Sequence, residues 1–322
     1  NTTGAQNVAL GYNTLGANTT TSSNTAIGHK ALEVATADNN TAVGREALQD
    51  NTTGANNTAL GYHALNRTTT GSYNVAVGYE ALKDNTTAGT NTAIGYRASK
   101  SNTTGNYNVA VGYHALEENT TGVSNVAVGY QVLQTATGQS NNTGVGMMCL
   151  QACSTGNENT AVGNKAMYTN TTGDRSVAVG SYALYTWNHT DDTDAYNVAV
   201  GYGALQACTT GLDNTAVGGN CLNDLTDGNN NTAFGRNCLE SVTTGNDNTG
   251  IGEDCADELT TGHNNTLLGH DAGRSASPSG AITTGSNNMV LGNNSVANSY
   301  IKVDWTVTSD RRDKTDIEPF NH

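Results

Sequence analysis

Asn74-Val75-Ala76-Val77-Gly78-Tyr79-Glu80-Ala81-Leu82 is the fullest copy of a box that recurs seventeen times along the chain. The box Gly falls at 11, 28, 44, 61, 78, 95, 112, 129, 146, 163, 180, 201, 218, 235, 252, 269 and 292. Most steps are 17 residues; one is 16, one is 21 and one is 23. A fixed short period means that each unit is one coil of a solenoid, and solenoids serve as rods, spacers or extended binding surfaces.

With the Asn as position one, position four is aliphatic or Phe in every copy, position nine is Leu in twelve and position three is Ala in thirteen. Polar connectors such as Thr52-Thr53-Gly54 and Thr243-Thr244-Gly245 join the boxes. A unit this short has no room for two helices and a turn, and its Gly and β-branched content disfavours helix. The expectation is two short strands and two turns per coil. Positions two and four alternate with three and five at period two, so Val, Ile and Leu line one face while Ala and Gly leave the other nearly bare. The bare face is where another backbone approaches closely. The fold class expected is all-β, a parallel β-roll or β-helix of seventeen repeats. Coils stacked about 4.8 Å apart make a rod roughly 80 Å long. The first-position Asn, replaced only by Ser176, reads as a hydrogen-bonded ladder along the rod. Triplets such as Asn51-Thr52-Thr53 fall out of the repeat and say nothing about glycosylation.

Composition points to association. Only 35% of the 322 residues are apolar, with two Phe and two Trp. A single stack buries little for its length, so chains are expected to complete the core laterally through the Ala/Gly face, as an intertwined or side-by-side homotrimer. The formal charge of −14 argues against nucleic-acid partners and anionic membranes. No stretch is long and apolar enough to span a membrane, and the first residues are plain repeat rather than a signal peptide. The chain begins and ends mid-pattern and reads as a piece of a longer protein.

Cys149, Cys221, Cys238 and Cys255 occupy position eight, where most copies have Ala, and read as small buried hydrophobes rather than disulfide partners. Cys153 and Cys208 fall in connectors, with no role assigned. No CxxC or HxxxH spacing points to a metal, and no cofactor is expected.

Three features stand out as candidate sites. The 21-residue step inserts a loop containing Trp187, His189, Asp191, Asp192 and Asp194, which reads as a sugar- or cation-binding loop or as a solvated acidic bulge. The 23-residue step inserts Ser275–Gly280, a polar loop with little chemistry. Tyr62, Tyr79, Tyr96, Tyr113 and Tyr130 share position six in five consecutive copies, a stripe suited to stacking on glycan rings or on itself. Glu46, Glu80, Glu117 and Glu118 are expected at exposed positions, and no recurrent carboxylate pair suggests a glycosidase.

The repeat ends near Val296, so residues 1–296 read as the shaft and 297–308 as a connecting strand. Residues 309–322 contain Ser309-Asp310-Arg311-Arg312-Asp313-Lys314-Thr315-Asp316-Ile317. This resembles the opening of the intramolecular chaperone domain at the C-terminus of phage tail fibres and endosialidase-type tailspikes, in the pattern Ser-Asp-x-Arg-x-Lys followed by an Ile. The resemblance covers about fourteen residues, just after a fibrous shaft. It implies trimerisation, templating of the fibre and a single self-cleavage between Thr308 and Ser309. Ser309 would be the nucleophile and Lys314 the base, since a desolvated Lys loses its proton and activates a hydroxyl. Apart from that event, no enzyme is expected. The repeats also resemble the head repeats of trimeric autotransporter adhesins, which share the Asn-x-Ala-Ile/Val-Gly box, although the unit here is longer. Together these imply a phage tail-fibre or tailspike shaft on the virion tail, outside the cell. Its partners would be sister chains, other tail proteins and a host-surface glycan or protein. The alternatives are a bacterial adhesin passenger and a polysaccharide depolymerase.

Overall fold

The structure, a computed structural model, describes residues 2–189 and 194–297. The described chain is a parallel β-solenoid with no helix. Seventeen strands run from β1 (Val8–Leu10) to β17 (Met289–Leu291), one per coil, and each pairs in parallel with the next. Like box positions face each other: Val75↔Thr92, Ala76↔Ala93 and Val77↔Ile94. The register survives the irregular steps, with Thr25↔Thr41, Val177↔Val198 and Thr266↔Met289. Extra or missing residues are therefore absorbed outside the strand.

Each coil has one strand rather than the two expected. After the strand the backbone turns left-handed repeatedly. The fifth-position glycines from Gly11 to Gly252 hold φ between 132° and 141°. In the same coils positions seven and nine are left-handed and, Gly203 excepted, are not glycine, as at Glu80 (φ 54°) and Leu82 (φ 48°). Such residues cost roughly 1–2 kcal/mol each. Ladder bonds to the next coil offset that cost. Leu82 N–H donates to Ala98 O at 3.0 Å, Asp84 N–H to Lys100 O at 2.9 Å and Thr86 N–H to Thr103 O at 3.1 Å. The Thr86 hydroxyl donates to that same Thr103 carbonyl at 3.0 Å. This side is hydrogen-bonded as completely as the strand, but by corners instead of extended chain.

The assignment of inside and outside reverses the expectation. In every strand after β1 the position-three residue is buried and its neighbours are partly or fully exposed. Ala26, Ala76 and Ala93 are completely buried, whereas Ile27, Leu60, Ile94 and Phe234 lie on the surface. The Ala face looks into the lumen of its own coil and is not free for a sister chain. The reason is steric. The lumen also takes the position-eight Ala and position-nine Leu, such as Ala81 and Leu82, both fully buried. A Val or Ile at position three would overfill it where position nine is Leu; the buried Leu267 is admitted because position nine of its coil is Gly273, where a Cβ would collide with it. The fifth-position Gly does admit a close backbone, but that backbone belongs to the next coil: a Cβ on Gly78 would overlap the Gly95 carbonyl.

A further buried column lies at position twelve, in the connectors. It reads Asn51, Thr68, Asn85, Asn102 and Asn119 in the first half, then Cys208, Leu225, Val242 and Leu259 in the second. In the first half Nδ2 of Asn102 donates to Oδ1 of Asn85 at 3.1 Å and to Gly105 O at 2.9 Å. Cys153 and Cys208 belong to this column. Their thiols take over the Asn bond, donating to Gly156 O at 3.4 Å and Gly211 O at 3.8 Å.

Candidate functional site

Ser309 and Lys314 lie outside the described residues, as do Asp191 and Asp192. The remaining candidates separate in the structure. Trp187 is not in an exposed loop: it is fully buried at position twelve, the largest side chain in the core. Its ring lies over Gly173, where a Cβ would collide with it. The insertion begins after it. Asp194 is exposed and is held by the Arg175 guanidinium and by Tyr196 Oη, which donates to Asp194 Oδ2 at 3.1 Å. His189 is half-buried, and its carbonyl accepts from the Thr172 hydroxyl. Trp187 and Asp194 therefore do not share a surface. The burial signal in the sequence was the spacing: Trp187 stands 17 residues after Asn170, in column.

The tyrosine stripe is a stack. Rings of Tyr62, Tyr79, Tyr96 and Tyr113 follow one another at 5.2 Å with interplanar angles of 10° to 12°, and Tyr130 continues at 5.3 Å. Both faces of Tyr79, Tyr96 and Tyr113 are covered by neighbouring tyrosines. His63 covers a face of Tyr62 at 3.9 Å. The stripe offers ring edges and hydroxyls to solvent, while its faces stabilise the stack.

Beside the stack runs a charged column, less exposed than expected. Glu80 is only 6% exposed. It is held by Lys83 at 2.9 Å and Arg97 at 3.1 Å, with Lys100 at 3.8 Å. Burial pulls its carboxyl up, and the bond and charge of Lys83, with Lys100 and Arg97, more than offset this, leaving it below the usual carboxylate range. Glu46 similarly meets His63 at 2.6 Å. Lys83 belongs to the coil of Glu80, whereas Arg97 and Lys100, like His63 on Glu46, reach across from the next coil.

Among the described residues one group has metal-ligand geometry: Asp254, His270 and Asp271 present ligand atoms within 4.8 Å of one another. Arg236 and Arg274 already neutralise it, at 3.6 Å and 3.7 Å from Asp254 and 2.8 Å from Asp271. All six cysteines are free and buried. Burial pushes the Cys153 and Cys208 thiols up to about 12.

The surface feature shared by the whole rod is the position-four stripe. Leu10, Ile27, Leu60, Ile94, Phe234, Ile251 and Leu291 are 36% to 67% exposed. Being in register, they form one continuous apolar line. Its signal in the sequence was the invariably aliphatic or Phe character of position four, which binary patterning alone places inside. Comparison with the models of known protein families returns no match, and none of the curated proteins matches the chain.

Proposed function

We propose that this chain is the repeat shaft of a homotrimeric phage tail fibre or tailspike that projects from the virion and contributes to host-surface recognition. The observation that carries the reading is the position-four stripe. A solenoid complete in itself has no reason to expose an aliphatic side chain on coil after coil. A partner that covers every one must repeat at the same spacing and run straight alongside. A parallel sister chain meets both conditions, because its own stripe has the same period. Three such chains about a common axis bury the line and leave the polar connectors and charged columns outside. The resemblance of Ser309–Ile317 to the tail-fibre chaperone supports three as the number and the virion as the place. Self-cleavage by Ser309 and Lys314 belongs to that same resemblance.

The shaft reading is tested by imaging the purified chain in negative stain and by adding fluorescent protein to a panel of bacteria. Uniform thin rods, about 80 Å long for seventeen coils, that label a subset of strains are expected. Compact particles that label none would overturn it.

A further inference from the structure

The aromatic stack ends at Tyr130, and a later tyrosine in its column has no ring above or below it. Position six continues after Tyr130 as Met147, Asn164, Ser181, Tyr202, Gly219 and Arg236. Tyr202 thus stands between a serine and a glycine, where each inner tyrosine of the stack stands between two tyrosines. It is 60% exposed, against 38% to 46% for Tyr79, Tyr96, Tyr113 and Tyr130. At Gly219 a Cβ would meet nothing within 4 Å, so the side of Tyr202 towards the next coil is open space. Tyr182, half-buried one coil earlier and packed edge-to-face by Tyr185 with centroids 5.5 Å apart, is also met by Tyr202. The two rings meet edge-to-face, with centroids 6.0 Å apart and planes at 76°. Such a pair forms a corner, whereas the stack forms a closed column.

Amides surround the corner. Asn223 Nδ2 donates to Gly203 O at 2.9 Å and to Gln206 Oε1 at 3.4 Å. Asn220 Oδ1 and Gln206 Oε1 crowd the site where a Gly203 Cβ would sit, at 2.9 Å and 3.1 Å. Tyr202 lies in the coil that follows the 21-residue step.

We infer that Tyr202 and Tyr182, with the amides of Gln206, Asn220 and Asn223, form a binding site for a neutral glycan of two or more sugars. The chemistry selects that class. An open aromatic face takes the C–H face of a pyranose. Side-chain amides donate to and accept from its hydroxyls. The residues named carry no charge, so an acidic or basic sugar is not what they recognise. This inference rests on the adhesive part of the reading above and supplies its ligand class.

The test is saturation-transfer-difference NMR on the intact chain with maltohexaose, chitotetraose and mannotetraose, repeated on Tyr202→Ala and Gly219→Tyr. Gly219→Tyr enters open space and restores a covering ring over Tyr202, so the fold is retained while the site is closed. The expected result is binding of at least one of these saccharides by the native chain, weakened about tenfold or more by either substitution, with melting temperatures not lowered. Absence of binding to all three, or binding that survives Gly219→Tyr, would overturn the inference. If Tyr202→Ala unfolds, Gly219→Tyr decides alone. Particle mass is measured on the same samples. A trimer that binds no saccharide removes only this site, and a monomer that binds one counts only against the shaft.

Discussion

The backbone N–H of Asn91 donates to Oδ1 of Asn74, one coil below, at 3.0 Å. The Asn74 amide in turn donates to Ala88 O at 2.9 Å and to Asn57 Oδ1 at 3.1 Å. Asn74 therefore couples three coils, from a fully buried site. Asn74→Ala strands the Asn91 N–H, while the Ala88 carbonyl keeps its bond from Asn85 Nδ2 at 3.1 Å, and is expected to cost about 2 kcal/mol. Asn74→Ser is expected to cost less, because the chain already contains that solution: Asn197 N–H donates to Ser176 Oγ at 3.3 Å. Denaturation midpoints in guanidinium order the three proteins, and equal midpoints for Ala and Asn would refute the ladder's role.

Glycines at positions five and six make opposite predictions. Gly78 has φ 134° and abuts the Gly95 backbone, whereas Gly219 faces open space. Gly78→Ala should lose about 3 kcal/mol or more from backbone strain and overlap. Gly219→Ala should stay within about 0.5 kcal/mol of the parent. Thermal melts of the two variants side by side make the comparison.

Trp187→Ala removes the largest buried side chain and opens a void over Gly173. The expected loss is about 3–5 kcal/mol. A loop tryptophan would be replaced at almost no cost. Its fluorescence in the native protein should accordingly resist quenching by acrylamide.

The coil period and the parallel, in-register stacking are legible in the sequence, because Gly11 to Gly292 mark the turns and every step returns to the same box. Which side faces inward is not. Val77 and Ile94 look like core and Ala76 like a contact face, yet the lumen of one coil has room only for Ala76, Ala81 and Leu82. The second strand was expected because nothing about Glu80 or Leu82 announces a left-handed backbone. That conformation is imposed by the stack, coil upon coil, not by local propensity. Tyr202 escaped notice for a related reason. It differs from Tyr79 only in having Ser181 and Gly219 as neighbours in the column, a relationship visible once the columns are aligned in space.

Alkaline pH should weaken the fold through the buried thiols. Burial pushes Cys153 and Cys208 up to about 12, while an unfolded thiol titrates near 8.5. Above about pH 8.5 the unfolded chain releases protons that the folded chain retains. Stability is therefore full below that pH and falls as pH rises towards 12. The Cys153→Ala, Cys208→Ala double variant should show a shallower decline between pH 8.5 and 11, in melts read by circular dichroism. In native buffer no cysteine should react with a thiol reagent, and all six should react in denaturant.

On the function proposed above, the apolar line through Val77, Ile94 and Val111 is what a sister chain covers. Its most direct test is the particle mass from sedimentation equilibrium, for the native chain and for Val77→Glu, Ile94→Glu, Val111→Glu combined. These side chains point out of the coil, so the substitutions leave each coil's own lumen intact. The native chain should sediment as three copies of 33.2 kDa, and the triple variant should shift towards a single copy with its β-sheet circular dichroism retained. A native chain that sediments as one copy, or a triple variant that remains a trimer, would contradict the account.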